Sequence, residues 1–211
     1  MKTISNLPKL KRSFYKNDVL TVAGNLLGKI LVHKFSGKLL AAKIVEVEAY
    51  DGSVDEAAHT FTGRTKRNEV MFNEGGYLYV YLSYGVHYCC NVVTGKKDEG
   101  TAVLIRAVQP LEGINIMMKN RYGRIVTSDK EIYNLTSGPG KVCKAMSIDI
   151  SNSGLDLLGG EIYLLNQRKI KDEMIGKSKR IGISKSKHFE WRFFIKDNPF
   201  LSRCLPNPKI F

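Results

Sequence analysis

The stretch Gly75–Val93, "GGYLYVYLSYGVHYCCNVV", decides the reading of the fold. Tyr77, Tyr79 and Tyr81 alternate with Leu78, Val80 and Leu82, the period of a strand carrying rings on one face and aliphatics on the other. "SYG", with Tyr84 in it, reads as the tip, and "CCNVV" as the returning strand, so the stretch is an antiparallel hairpin. Tyrosine is also a good strand former, so the ladder alone is compatible with a half-buried aromatic sheet face that has no chemical task.

Outward from the hairpin, strands outnumber helices. Toward the N-terminus, Asn17 or Asp18 is placed to cap a helix through "VLTVAGNLLG", with Gly28 as its stop. "KILVHKF", a turn at Ser36-Gly37 and "KLLAAKIVEVEAY" form a second hairpin, "VDEAAH" reads as a short polar helix, and "TGRTKRNE" as a basic loop. Toward the C-terminus, "TAVLIRAVQP" is a strand ended by Pro110. Leu111, Ile114, Met117 and Met118 then share one helix face. In "TSGPGKVCKAMSI" a Gly-Pro-Gly turn leads into a short helix. Free N–H groups at its start, around Gly138 and Gly140, with Lys141 nearby, suit a phosphate; an ordinary capped helix start fits the same residues. "GEIYLLN" and "EWRFFIKDN" supply the last strands. Without regular β-α alternation, the expectation is a mixed α+β domain.

The chain has 211 residues, 43% of them hydrophobic, with no linker-like segment, so one globular domain over 1–211 is expected. Its 33 Lys and Arg against 20 Asp and Glu give +13, an excess that favours a polyanion, nucleic acid before an anionic membrane. The densest run, "RKIKDEMIGKSKRIGISKSK" from Arg168, also reads as a solvated loop. No apolar run reaches the ~20 residues of a membrane span, and "MKTISNLPKLKRSF" is not a signal peptide, which points to a soluble intracellular protein. Cys89, Cys90, Cys143 and Cys204 lack zinc-site and disulfide-framework spacing. With His33, His59, His87 and His188 scattered, a site free of metal and cofactor is expected.

In "KIVEVEAYDG", Ile44, Glu46, Glu48 and Tyr50 share one strand face. Carboxylates two apart lie ~6.5 Å apart by strand rise, near the low end for inverting glycoside hydrolysis; an alternating strand with a wet face would carry the same pair. Tyr50 follows Glu48, and "DEAAH" brings His59 close. Arg106 interrupts the apolar "VLIRAV" and needs an anionic partner, for which Glu48 is the candidate. Asn91 inside "CCNVV" needs hydrogen bonds or a ligand. Three polar residues in apolar strands point to one shared pocket. A polycation with aromatic rings and a carboxylate able to activate water fits chemistry on a nucleobase flipped from a duplex, and Tyr84 at the hairpin tip fits a wedge.

At these residues the sequence resembles the alkyladenine (3-methyladenine) DNA glycosylase family. The resemblance rests on "VEVEAYDGSVDEAAHTFTGRTKRNEVMF", "GYLYVYLSYGVHYCCNVV", "VLIRAVQPLEG", "SGPGKVCKAM", and "RIGISK" followed by "WRFFIKDNPFLSR", in one order from about Leu20 to Arg203. It implies a single mixed domain with a curved antiparallel sheet, surrounding helices and a protruding hairpin. It further implies a monofunctional glycosylase that excises alkylated or deaminated purines (3-methyladenine, hypoxanthine, ethenoadenine) from double-stranded DNA in base-excision repair. By resemblance, Glu48 is the general base and Arg106 helps position the water. Tyr50 and His59 stack on one face of the base and Tyr81 on the other, Tyr84 intercalates, and Asn91 screens out the guanine amino group. The backbone near Ile183 is another water contact, and Gly138, Gly140 and Lys141 are expected at the DNA backbone. His87 and Val86 depart from the larger hairpin residues common in the family. A monomer in a bacterial cytoplasm at the nucleoid is expected, or in a nucleus if the source is eukaryotic. The competing expectations are a non-catalytic nucleic-acid-binding module and a carbohydrate hydrolase using Glu46 with Glu48.

Overall fold

The computed structural model describes residues 4–202; Arg203 and Cys204 lie outside the described residues. Two helices, α1 (Arg12–Tyr15) and α2 (Val19–Leu26), come first, the second capped by Asp18 accepting the Thr21 N–H at 2.9 Å. Strand β1 (Ile30–Phe35) turns through Ser36 (φ 49°) and Gly37 (φ 72°) into the long β2 (Lys38–Asp51). Two left-handed residues in a two-residue turn match the twist of a hairpin. The tyrosine stretch forms β3 (Leu78–Ser83) and β4 (His87–Thr94), followed by β5 (Thr101–Glu112). Helices α3 (Ile114–Tyr122), α4 (Asp129–Asn134) and α5 (Pro139–Met146) precede the short strands β6 (Ile162–Leu165), β7 (Ile175–Ser178) and β8 (Arg192–Ile195).

All strand pairings are antiparallel, in the order β3-β4-β5-β2-β1-β6, with β8 joining β2 to β7. β2 changes partner along its length. Lys38–Lys43 pairs with β1, whereas Glu46–Glu48 pairs with β8, while β5 lies on its other side from Ala41 to Asp51. Register shifts around Ile44–Val47 mark the change, as expected where a sheet bends. The two glutamates therefore sit where the curved sheet splits. α2, α3 and α5 cover one face, burying Leu78, Val80, Val92, Ile105 and Met117. Tyr79 packs on the opposite face with Met71, Val93 and Ala102. The alternation in the tyrosine strand thus divides rings from aliphatics as its period requires.

Some local expectations are corrected. "VDEAAH" is a run of turns rather than a helix, because Asp55 is drawn inward to Arg180 and its Oδ1 also accepts the Ala57 N–H at 3.0 Å. Pro110 does not end its strand. It pairs with Ala42 beside a register shift, where a missing N–H costs little, and β5 runs on to Glu112. Leu111 consequently belongs to β5, not to the face of α3. The basic run from Arg168 contains β7 and the buried Arg180 rather than only solvated loop. Among the described residues no helix is long and apolar enough to cross a membrane.

Candidate active site

Cross-strand register gathers the polar residues. Asn91 of β4 and Glu48 of β2 both stand opposite Leu104 of β5, so the three side chains form one row. Asn91 and Leu104 of this row line a cavity of about 520 Å³, ample for a purine, with Glu48 behind it; the walls also include Tyr50, His59, Tyr81 and Arg106, and the rim carries Tyr84. The hairpin delivers Tyr81 and Asn91, the turns after β2 deliver His59, and 181–185 closes the remaining side.

Glu48 is fully buried behind this wall and anchored by three donors. Its Oε2 accepts the Tyr50 hydroxyl at 2.8 Å and Arg106 Nη1 at 3.2 Å, and its Oε1 accepts the Ile181 N–H at 2.7 Å. Each carboxylate oxygen has two lone pairs, so Oε1 retains one acceptor position. Burial, then the neighbouring Glu48 carboxylate, push the Tyr50 phenol well above its ordinary value, so it stays a donor. Burial works against the charge of Arg106, but Glu48 and Glu46 outweigh it and raise its value. Burial and then Arg67 lower His59, leaving a neutral imidazole at pH 7. Its Nδ1 lies 3.1 Å from the Tyr79 hydroxyl. Burial first also pushes the cavity-lining Cys89 thiol up to about 11, which keeps it un-ionised.

The rings are not yet spaced for a sandwich. His59 and Tyr81 meet edge-on with centroids 4.5 Å apart. A planar base between two rings needs about 7 Å, twice the contact distance of carbon atoms, so a base would fit between these two only with Tyr81 or His59 swung aside. Asn91 donates to the Tyr79 carbonyl at 3.1 Å, which fixes its amide in the wall. Tyr84 is 89% exposed, at a turn where its φ is 49° and that of Gly85 is 70°. Pro139, at the start of α5, lines the same cavity. At Gly140 a Cβ would fall 2.8 Å from the His87 Cβ, so this helix start can lie against the hairpin only as glycine. Lys141 turns its ammonium toward Asn134 and Ser137. Ile183 lines the cavity, but it is the Ile181 N–H that reaches Glu48.

Glu46 is committed to Arg106, Arg192 and Ser202, of which only Arg106 lines the cavity, whereas Tyr50, Arg106 and Ile181, the three partners of Glu48, all line it; this asymmetry disfavours a two-carboxylate hydrolase. Several participants escaped the sequence reading. Arg192, a lone cation in "WRFFI", gives the same signal that singled out Arg106. Arg180, whose guanidinium is paired with Asp55 and lies 4.5 Å over the Tyr50 ring, and the Ile181 N–H give none, since their partners are far apart in the chain.

Residues 13–199 match the family model described as methylpurine-DNA glycosylase. A protein of Alkaliphilus oremlandii named "Putative 3-methyladenine DNA glycosylase" is 48% identical over 92% of this chain and 99% of its own. Proteins of the same name from Desulfitobacterium hafniense and Clostridium novyi are 44% and 46% identical, each over 93% of this chain and 99% and 100% of their own. The chain belongs to the methylpurine-DNA glycosylase family, hydrolases of N-glycosidic bonds in DNA.

Proposed function

We propose that this family member excises damaged purines from duplex DNA by base flipping and attack of water on C1′, with Glu48 as the general base. The observation that carries this reading is a buried carboxylate that keeps one acceptor position and is held by Tyr50, Arg106 and the Ile181 N–H, three residues that line an aromatic cavity. Water donates its proton to Glu48 as its oxygen bonds to C1′. The C1′–N9 bond breaks and its electron pair leaves with the purine. Arg106, at the cavity wall, orients the water. Tyr50 and His59 on one side and Tyr81 on the other clasp the flipped base, Asn91 crowds a guanine amino group, and Tyr84 fills the gap in the stack. The start of α5, at Gly138 and Gly140 with Lys141, contacts the DNA backbone.

Cationic alkylated purines, such as 3-methyladenine, become neutral on leaving and need no acid. Neutral His59 and the raised tyrosines offer little proton to a leaving base, so hypoxanthine and ethenoadenine leave more slowly. Lys185, the lysine on the cavity rim, is engaged with Glu56 at 3.3 Å, which favours simple hydrolysis over Schiff-base chemistry. A monomer working in a bacterial cytoplasm fits the bacterial sources of the relatives.

The test is base release from methylated duplex DNA and from a duplex with one hypoxanthine, scored as alkali-labile abasic sites. Wild type is expected to release purine. Glu48→Gln is expected to bind as wild type does while release falls by at least about a hundredfold, the scale of losing a general base. Binding by both proteins without release by either would leave a non-catalytic module.

A further inference from the structure

Among the described residues, Glu46 is a buried ionisable group that touches Arg106 yet has no task in the mechanism. Its carboxylate is fully buried and accepts four hydrogen bonds. Oε1 takes Arg106 Nε at 3.1 Å, Arg192 Nε at 2.7 Å and the Ser202 hydroxyl at 2.6 Å; Oε2 takes the Ser202 N–H at 2.6 Å. Arg192 is itself tied to the Ser178 hydroxyl at 3.0 Å. One side chain thereby joins β2, β5, β8 and the segment after β8. Buried ion pairs seldom stabilise a fold more than apolar residues of the same volume would, so stability alone does not account for this cluster.

Arg106 is held at every nitrogen. Nε goes to Glu46, Nη2 lies 3.4 Å from the Ser202 hydroxyl, and Nη1 goes to Glu48 Oε2 at 3.2 Å. A guanidinium is planar, so fixing Nε and Nη2 fixes where the two Nη1 hydrogens point. One meets Glu48, and the other is directed from a side chain that lines the cavity. Released from Glu46, Arg106 is free to turn two nitrogens onto Glu48 as a forked pair. That arrangement would occupy both carboxylate oxygens and fill the acceptor position that has to take the proton of water.

We propose that Glu46, with Ser202, is a positioning residue that keeps Arg106 from capping Glu48 and aims its remaining N–H at the attacking water, an assignment resting on the reading of Glu48 as the base. Single-turnover purine release from methylated duplex DNA tests it, alongside binding to a duplex bearing a tetrahydrofuran abasic analogue. Glu46→Gln is expected to slow release by about tenfold to a hundredfold, as misplacement of a reacting group does, while binding changes by less than about twofold, the pattern of an interaction made only in the transition state. A double-mutant cycle separates this from a structural effect. In an Arg106→Gln background, Glu46→Gln should slow release no further, because the residue through which it acts is gone.

An equal slowing in both backgrounds, or wild-type release by a folded Glu46→Gln, overturns the proposal. If Glu46→Gln does not fold, Ser202→Ala, which keeps the backbone N–H bond to Glu46, goes through the same cycle with the same criterion. Glu48→Gln is run beside them. Wild-type release by that variant removes the base assignment itself, whereas an inactive Glu48→Gln beside an unimpaired Glu46→Gln removes only the positioning role.

Discussion

His59 illustrates how burial selects a protonation state before any substrate arrives. Set in the cavity wall near Arg67 with part of its ring open to solvent, it is held below the ordinary histidine value, first by partial burial and then by that cation. In the unfolded chain it titrates near about 6.5. Below that pH the unfolded chain therefore binds a proton that the native protein refuses, and stability rises with pH across the window. The stability is present above the unfolded value and lost as pH falls from it toward the lower folded value. The lowered carboxylates Asp18 and Asp149 add to the loss at lower pH, near and below about 4. The midpoint of thermal unfolding should accordingly drop between about pH 7 and 5, and His59→Gln should drop visibly less over the same interval. Parallel curves for the two proteins in a calorimetric pH series would show that His59 is not held neutral by the fold.

At the scale of elements, the hairpin of β3 and β4 carries a conflict between folding and use. Its tip is closed by the Val86 N–H donating to the Ser83 carbonyl at 3.1 Å, with Tyr84 and Gly85 both left-handed. Glycine suits that conformation, but a tyrosine in it is strained by about 1–2 kcal/mol, and its ring is left almost wholly in water. Asparagine tolerates the same φ, so Tyr84→Asn should stabilise the protein by about 0.5–1 kcal/mol in denaturant titration while weakening affinity for a lesion-bearing duplex severalfold. Unchanged affinity would remove the wedge role, and lost stability would remove the strain. The hairpin and β1–β2 were legible in the sequence because alternation and a Gly-containing turn are local signals. Asp55 misled for the opposite reason: helix propensity in "VDEAAH" is a weak preference, overridden by a buried partner at Arg180 that no local pattern announces. The same division runs through the site. Arg106 and Asn91 stood out as polar residues in apolar strands, whereas Glu46 drew attention only as half of a pair, because its real partners, Arg192 and Ser202, lie at the far end of the chain.

Over the whole molecule, charge and chemistry are separated in space, and salt should act on them differently. The net charge of +13 resides largely in exposed lysines and arginines, whose attraction to phosphates comes mainly from counterion release. Glu48, Glu46, Arg106 and Arg192 are instead buried, and they balance two anions against two cations where mobile ions screen little. Affinity for a duplex should therefore fall linearly in log–log form with salt. If about five phosphates are neutralised, the fall between about 50 and 200 mM is roughly five-hundredfold. The first-order rate of purine release from a saturated complex should stay within about twofold over that range, because the bound chemistry neutralises no further phosphate. Titrating binding and single-turnover release in the same salt series measures both quantities on one preparation. A salt-insensitive affinity would mean that the basic surface does not hold DNA. A release rate falling in step with affinity would mean that the ion cluster around Glu48 is open to solvent in the working complex, so that burial could no longer account for how Arg106 is held.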